Sequence, residues 1–586
     1  MKNRRVKGKT ILIILSIFAA VKMLFFAFGL DEEYQLVMAY RNVRGDELFL
    51  TMWEPHQTSA FLCALLMRPY LALIGTTGVV IWLRLCGTLI HLGVSFYLYS
   101  VLRRMISGDS AFLLGLIYFN TIPKQIMLPE FGIMQVWFLT LLSLFLIQYY
   151  DIGVINEEDG IDTGAGSRKY LIFASFALVL EVLSYPSCVL LYVLVLWILW
   201  RRSGKRRFAD MGIVTGICGL CGAAYVGLLL RNNTPEGLLG TLSSIVNGDI
   251  THSLSFADKL LALGRDILLP AALCAGIFLL SKAAARLTAP EAGRRRAELI
   301  WITALSCLTE LCCWVVFNAG YESMQVHLIV FAVLGILYDI RCGRGREGAR
   351  EASERRGHLR RGLLLDGIFL AGGALLAVLY LTDLGLMDSL PHAMTAAFFG
   401  MTIVTLYWEE KDRVAGGAAL CLRAALLFWA FTAIFGKGYT LRSGTGYHNV
   451  LQSGGILKYG PAAGTISDYM CAYIYNCDYE DWQGRIQEGD RVLIMVDQVM
   501  NLGTIQYLFQ DVEISHYSIV NPTAYDERLT EYWEMFPKKA PNVIIVDDWY
   551  GQLMTDPEGW LMRYAEGEFG YTSMEEGRYI RIYRKE

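Results

Sequence analysis

The chain has 586 residues, 54% of them hydrophobic, and a formal net charge of -3. An aqueous globular chain carries more charge and fewer long apolar runs, so the bilayer is the main solvent here. The near-neutral total hides basic and acidic residues gathered in separate loops, and no nucleic-acid partner is expected.

In chain order, apolar stretches suited to crossing a bilayer occur near 10–30, 76–102, 109–123, 131–149, 170–184, 187–200 and 209–230. The series continues near 266–281, 298–319, 326–340, 362–382, 392–408 and 414–435. The predicted class is therefore mainly α, a polytopic helical bundle of about thirteen spans over residues 1–435. Lys2, Arg4, Arg5, Lys7 and Lys9 precede the first span, and Arg103, Arg104 and the cluster 201–207 follow later ones. Positive-inside bias puts these ends in the cytoplasm, as it does Arg294 to Arg296 and the run 341–361. An odd number of spans then puts the C-terminus outside. Ala27 and Gly29 also make a small-x-small pair, so a cleaved signal peptide is the alternative to a retained first span. Both readings leave Asp31 outside.

Residues 436–586 are polar and aromatic-rich, the size of one extracytoplasmic domain. Strand-like runs at 491–496, 515–520 and 542–546 alternate with a helix-like segment at 525–536, which predicts an α/β layer. Tyr469, Tyr473, Tyr475, Tyr479 and Trp482 form an aromatic run suited to core packing, with sugar stacking or a membrane-interface role as alternatives. Of thirteen cysteines only Cys471 and Cys477 fall here; a bond between them needs an intervening turn and stays open, and nothing has zinc spacing. No GxSxG, Walker or Rossmann fingerprint points to a second activity.

The most unusual segment is the external loop 31–75. It begins with Asp31, Glu32 and Glu33 and continues through Gly45, Asp46, Glu54 and Pro55. Leu36, Val37, Tyr40 and Val43 share one helical face, opposite Gln35, Arg41 and Arg44, which predicts a helix lying flat in the interface. A carboxylate held there can deprotonate a hydroxyl while neighbours orient the acceptor or bind a divalent metal ion. The plain alternative is that Asp31 caps that helix and Glu32 and Glu33 complement its dipole.

An external DE pair after one span, a GD turn, and a Glu-Pro ahead of the next helices resemble the GT-C membrane glycosyltransferases. The resemblance is to the bacterial protein O-mannosyltransferase and lipid A aminoarabinose transferase branch. It implies sugar transfer from a polyprenyl-phosphate donor to a glycan, lipid or protein acceptor on the outer face, with inversion. Asp31 would be the base, with Glu32 as its substitute. Glu54 would organise a metal or acceptor site, and Glu130 would be a second acid. After Glu54 and Pro55 the branch's Lys and prolines give way to His56 and Gln57, which leaves that phosphate contact without its usual residue.

Arg84 sits within the second span, roughly 12 Å below its outer end at the helical rise, and is expected to hold a phosphate ligand or to snorkel to the interface. Arg84, Lys124 and Lys22 are the candidate donor-phosphate ligands, and Glu54 with His56 the candidate metal ligands. His252 and His327 lie in or beside later outer loops, and Glu310 and His91 read as polar helix contacts. The competing functions are a lipid or glycan transporter or flippase, and a noncatalytic scaffold whose outer domain binds a ligand.

Overall fold

The computed structural model describes all residues except 1, 28–29, 159–163, 249–253, 317–320, 344–351, 383–384, 413–417, 444–445, 496–503, 520–527, 548–562 and 586. Its helices run in chain order α1 (Lys2–Phe25), α2 (Leu30–Arg44), α3 (Ala60–Leu73), α4 (Val79–Leu102), α5 (Gly108–Asn120), α6 (Phe131–Glu158) and α7 (Gly164–Ser184). They continue as α8 (Leu190–Arg202), α9 (Arg207–Leu229), α10 (Pro235–Gly248), α11 (Phe256–Thr288), α12 (Arg294–Val316) and α13 (Tyr321–Gly343). The bundle ends with α14 (Ala352–Leu381), α15 (Leu386–Ser389), α16 (Thr395–Asp412) and α17 (Ala418–Tyr439). The described part of each apolar stretch named above lies mostly on one of these helices. Among the described residues, six are long and apolar enough to cross a membrane, beginning with Gly8–Phe25 and ending with Arg356–Tyr380. The chain is a multi-pass membrane protein.

The segment 31–75, expected as a loop, contains two helices. The apolar run Ala60–Leu73 folds as α3 and packs between α2 and α4. Helix α2 begins with Asp31, Glu32 and Glu33 and ends with Arg41 and Arg44, which sets each charge against the complementary end of the helix dipole. It stops at Gly45, whose φ of +100° only glycine takes readily. Asp46 N–H donates to the Arg41 carbonyl at 2.9 Å and Gly45 N–H to Asn42 at 3.3 Å. Those two bonds are a Schellman motif, which is what the Gly45-Asp46 pair encodes.

The expectation that α2 lies flat on lipid is overturned. Gln35 and Arg41, placed on its solvent face by periodicity, are as buried as Leu36 and Val37. The reason is that the following loop and the C-terminal region cover most of that face: Gln35 bonds to Ser59, Arg41 to Asp46, Glu54 and Tyr517 O, while Arg44 stays exposed.

That region begins where α17 gives way to β1 (Thr440–Ser443), which pairs with β2 (Gly446–Asn449). A second hairpin joins β3 (Gly455–Ile456) to β4 (Ile466–Ser467). Helix α18 (Tyr469–Trp482) then leads into β5 (Arg491–Met495), β6 (Glu513–Ile514), helix α19 (Arg528–Met535), β7 (Val543–Asp547), β8 (Ser573–Glu576) and β9 (Ile580–Arg584). The five-stranded sheet has the order β6-β5-β7-β9-β8, parallel across β5 and β7 and antiparallel at β9. The 515–520 run expected as a strand is shorter and earlier, at β6.

Backbone bonds tie this region to the helical body. Ala27 N–H donates to Ile466 O, Gly78 N–H to Gly460 O and Val80 N–H to Pro461 O, so the β3–β4 hairpin sits on one end of both α1 and α4. At the opposite end of the bundle Arg201 and Arg202 both grip Asp366, and Arg360 holds Asp151 at 2.9 Å.

Candidate active site

Asp31 stands in the first turn of α2, where the helix dipole favours its charge. Its carboxylate meets Lys124 Nζ at 3.1 Å, with the two side chains 22% and 10% exposed. Lys124 comes from the turn Pro123–Gln125 between α5 and α6, and it and Gln125 take left-handed backbone angles of φ 53° and 56°. Two consecutive non-glycine residues in that region store strain, which persists only where surrounding structure imposes it. The ammonium also lies over the Phe131 ring, 4.4 Å from its centroid.

Glu130 caps α6. Its two oxygens accept from Gly132 N–H at 2.6 Å and Ile133 N–H at 2.8 Å, and the residue is fully buried. Burial pushes its carboxyl above the ordinary range; Lys124 pulls it down and the Asp31 charge raises it further. His56 stacks face to face on Phe131, 4.2 Å between centroids, with Tyr34 and Tyr185 against the same rings.

One member of this cluster was not foreseen. His392, in the turn Leu390–Ala393 ahead of α16, is 1% exposed and packs edge-on against Tyr185. A Cβ on Gly132 would fall 2.8 Å from Glu130 Oε1 and 3.0 Å from His392 Cε1, so both groups crowd the same point at the start of α6. A lone histidine beside a proline, 361 positions after Asp31, carries no local signal of such a role.

The other sequence candidates lie apart from this opening. Glu32 forms a bidentate pair with Arg84, whose remaining hydrogens go to the Leu24, Phe26 and Ala27 carbonyls. The Arg84 guanidinium thus closes on protein acceptors and fastens α4 to the α1–α2 connection. Lys22 donates to the carbonyls of Lys437, at 3.0 Å, and Thr440, at the end of α17. Glu33, expected as an interfacial charge, is fully buried and accepts from Thr504 Oγ1 and Ile505 N–H of the C-terminal region.

Glu54 is fully buried and its carboxylate receives Arg41, Ser518 Oγ and Ile519 N–H at 2.8 to 3.2 Å. Arg41 also binds Asp46 at 2.6 Å, and Asp46 reaches Lys539 at 2.5 Å. Burial opposes the Arg41 cation, but Asp46 and Glu54 outweigh it. Both Glu54 oxygens therefore face protein donors, one of them cationic, and His56 is stacked in the aromatic cage. This pair does not fit a metal ion, and no group of three His, Cys, Asp or Glu side chains converges among the described residues.

His252 and the His327 side chain lie outside the described residues. His91 accepts from Trp137 Nε1 and Glu310 from Thr432, contacts between helices as expected. The aromatic run divides: Tyr475 and Trp482 are core, whereas Tyr469 and Tyr473 are exposed. Cys471 and Cys477 both lie on α18, six residues and about 9 Å of helix apart, which keeps them from forming a disulfide with each other.

No family model matches the chain, and no curated protein matches it. Among solved structures it is similar to ArnT from Cupriavidus metallidurans bound to undecaprenyl phosphate, at 14% identity and a TM-score of 0.45 over 100% of this chain and 98% of that one. It is also similar to the Archaeoglobus fulgidus oligosaccharyltransferase in complex with Zn and sulfate, at 13% identity and a TM-score of 0.44 over 92% and 67%. The archaeal AglB in complex with an inhibitory peptide and a dolichol-phosphate gives 12% identity and 0.42 over 92% and 69%. These are GT-C membrane glycosyltransferases, matched over nearly the whole chain at low identity.

Proposed function

We propose that this chain is a membrane glycosyltransferase of the GT-C type, which moves one sugar from a polyprenyl-phosphate donor to an acceptor hydroxyl on the outer face. The observation that carries the reading is the pairing of Asp31 with Lys124. A partly open carboxylate and a cation share one mouth, floored by Glu130 and His392 and walled by Tyr34, Phe131 and Tyr185. The orientation rests on the basic residues at the opposite end of the bundle, and the DE, GD and Glu-Pro spacing supports the same class.

Asp31 acts as general base. The acceptor oxygen attacks the anomeric carbon, its proton passes to Asp31, and the carbon–oxygen bond to phosphate breaks with its electron pair leaving on the polyprenyl phosphate. Attack opposite the leaving group inverts the centre. Phosphate already leaves well, so a cation matters more than a second acid, and Lys124 is the cation at the mouth. A general base is worth about 10²- to 10⁴-fold.

Glu32, Arg84 and Lys22 set the frame that aims Asp31, while Glu54 locks the loop beneath the C-terminal domain. No step is assigned to a metal ion. Purified protein in nanodiscs, given labelled polyprenyl-phosphate sugars and candidate glycan, lipid and protein acceptors, should yield labelled acceptor. Movement of labelled lipid between leaflets with no transfer would instead favour a flippase.

A further inference from the structure

We infer that Glu181 and Gln135 are positioning residues that hold His392 with its proton on Nδ1, leaving Nε2 to accept a hydrogen bond at the Asp31 and Glu130 cluster. The consequence for catalysis rests on the proposed transferase reading; the tautomer rests on geometry alone.

Glu181, on α7, and Gln135, on α6, are both 0% exposed. Gln135 Nε2 donates to Glu181 Oε1 at 2.8 Å, and the Cys188 thiol meets the same carboxyl. While Oε1 carries no proton it can only accept, and the Glu181 carboxyl then sets the amide orientation from behind. Gln135 then turns its oxygen toward His392, 3.0 Å from Nδ1. An amide oxygen only accepts, so Nδ1 must donate. A buried neutral imidazole with its proton on Nδ1 has one remaining lone pair, on Nε2. Gly132 permits this arrangement, since any side chain there would strike both His392 and Glu130. In a transferase, the Nε2 lone pair turns the acceptor hydroxyl for removal of its proton by Asp31.

The reversed amide is the competing state, with the Gln135 nitrogen donating to Nδ1 and the proton on Nε2. Nitrogen NMR of the full protein in nanodiscs, labelled only at histidine and assigned by loss of signal in His392→Gln, distinguishes the two. The expected spectrum has protonated Nδ1 and bare Nε2 at His392. Glu181→Gln, which can present either end of its amide, and Gln135→Met should each release a mixture of tautomers. In Glu181→Gln, kcat for transfer should fall about tenfold with the donor KM unchanged. Protonated Nε2 in the native protein, or an unchanged tautomer in both variants, overturns the inference. The expected tautomers without sugar transfer in any form would uphold the positioning chain and count against the transferase reading instead.

Discussion

Arg84 and Glu32 meet as a fork, with Nε on Oε1 and Nη2 on Oε2, each at 2.6 Å and each side chain 3% exposed. The pair ties the second turn of α4 to the first turn of α2, one residue from Asp31. A buried pair contributes little net stability, but removing one partner strands the other charge and costs about 3 to 5 kcal/mol. Arg84→Met should lose that amount in denaturant unfolding of the detergent-solubilised protein. Glu32→Leu with Arg84→Met should recover much of it. A double variant no more stable than Arg84→Met would show that the pair is not the unit that matters.

The junction at Glu54 makes a second prediction. Glu54→Ala takes one of two carboxylates from Arg41, leaving Asp46, and removes the acceptor of Ser518 and Ile519. Loss of one partner of a buried ionic cluster predicts about 3 to 5 kcal/mol of destabilisation, with faster proteolysis near 510–540. Because the carboxylate faces protein donors, the loss should be equal with chelator and with added divalent cation. Protection of the native protein, but not the variant, by cation would return Glu54 to a metal site.

Gly132→Ala tests the crowding at the start of α6. The added Cβ would lie 2.8 Å from Glu130 Oε1 and 3.0 Å from His392 Cε1. Overpacking of this kind costs about 1 to 3 kcal/mol, and the displaced groups are those that floor the Asp31 mouth. The expected result is a folded protein with transfer reduced by about tenfold or more, since misplacement by about 1 Å can cost ~10²-fold. Full activity in a stable variant would mean that neither group needs its observed position.

The helices were legible because a bilayer demands long apolar runs, although among the described residues only six are long and apolar enough to cross a membrane. The Gly45-Asp46 pair was legible as a turn, since a left-handed C-cap selects glycine. Periodicity misplaced α2, because Arg41 on its polar face is covered by a residue more than 450 positions away, Tyr517, whose carbonyl accepts from it. The same limit hid His392. Its role depends on Gln135 and Glu181, each on a different helix, and no sequence period links them. From the sequence Arg84 reads as snorkelling or holding a phosphate; the structure pairs it with Glu32, which packing alone decides.

The central claim is that Asp31, beside Lys124, removes the acceptor proton. Its most direct test is single-turnover transfer by Asp31→Asn, with donor binding measured separately on the same nanodisc preparation. The account predicts that the variant still binds the polyprenyl-phosphate sugar and that its transfer rate falls by about 10²- to 10⁴-fold. Transfer at the native rate by Asp31→Asn would contradict it.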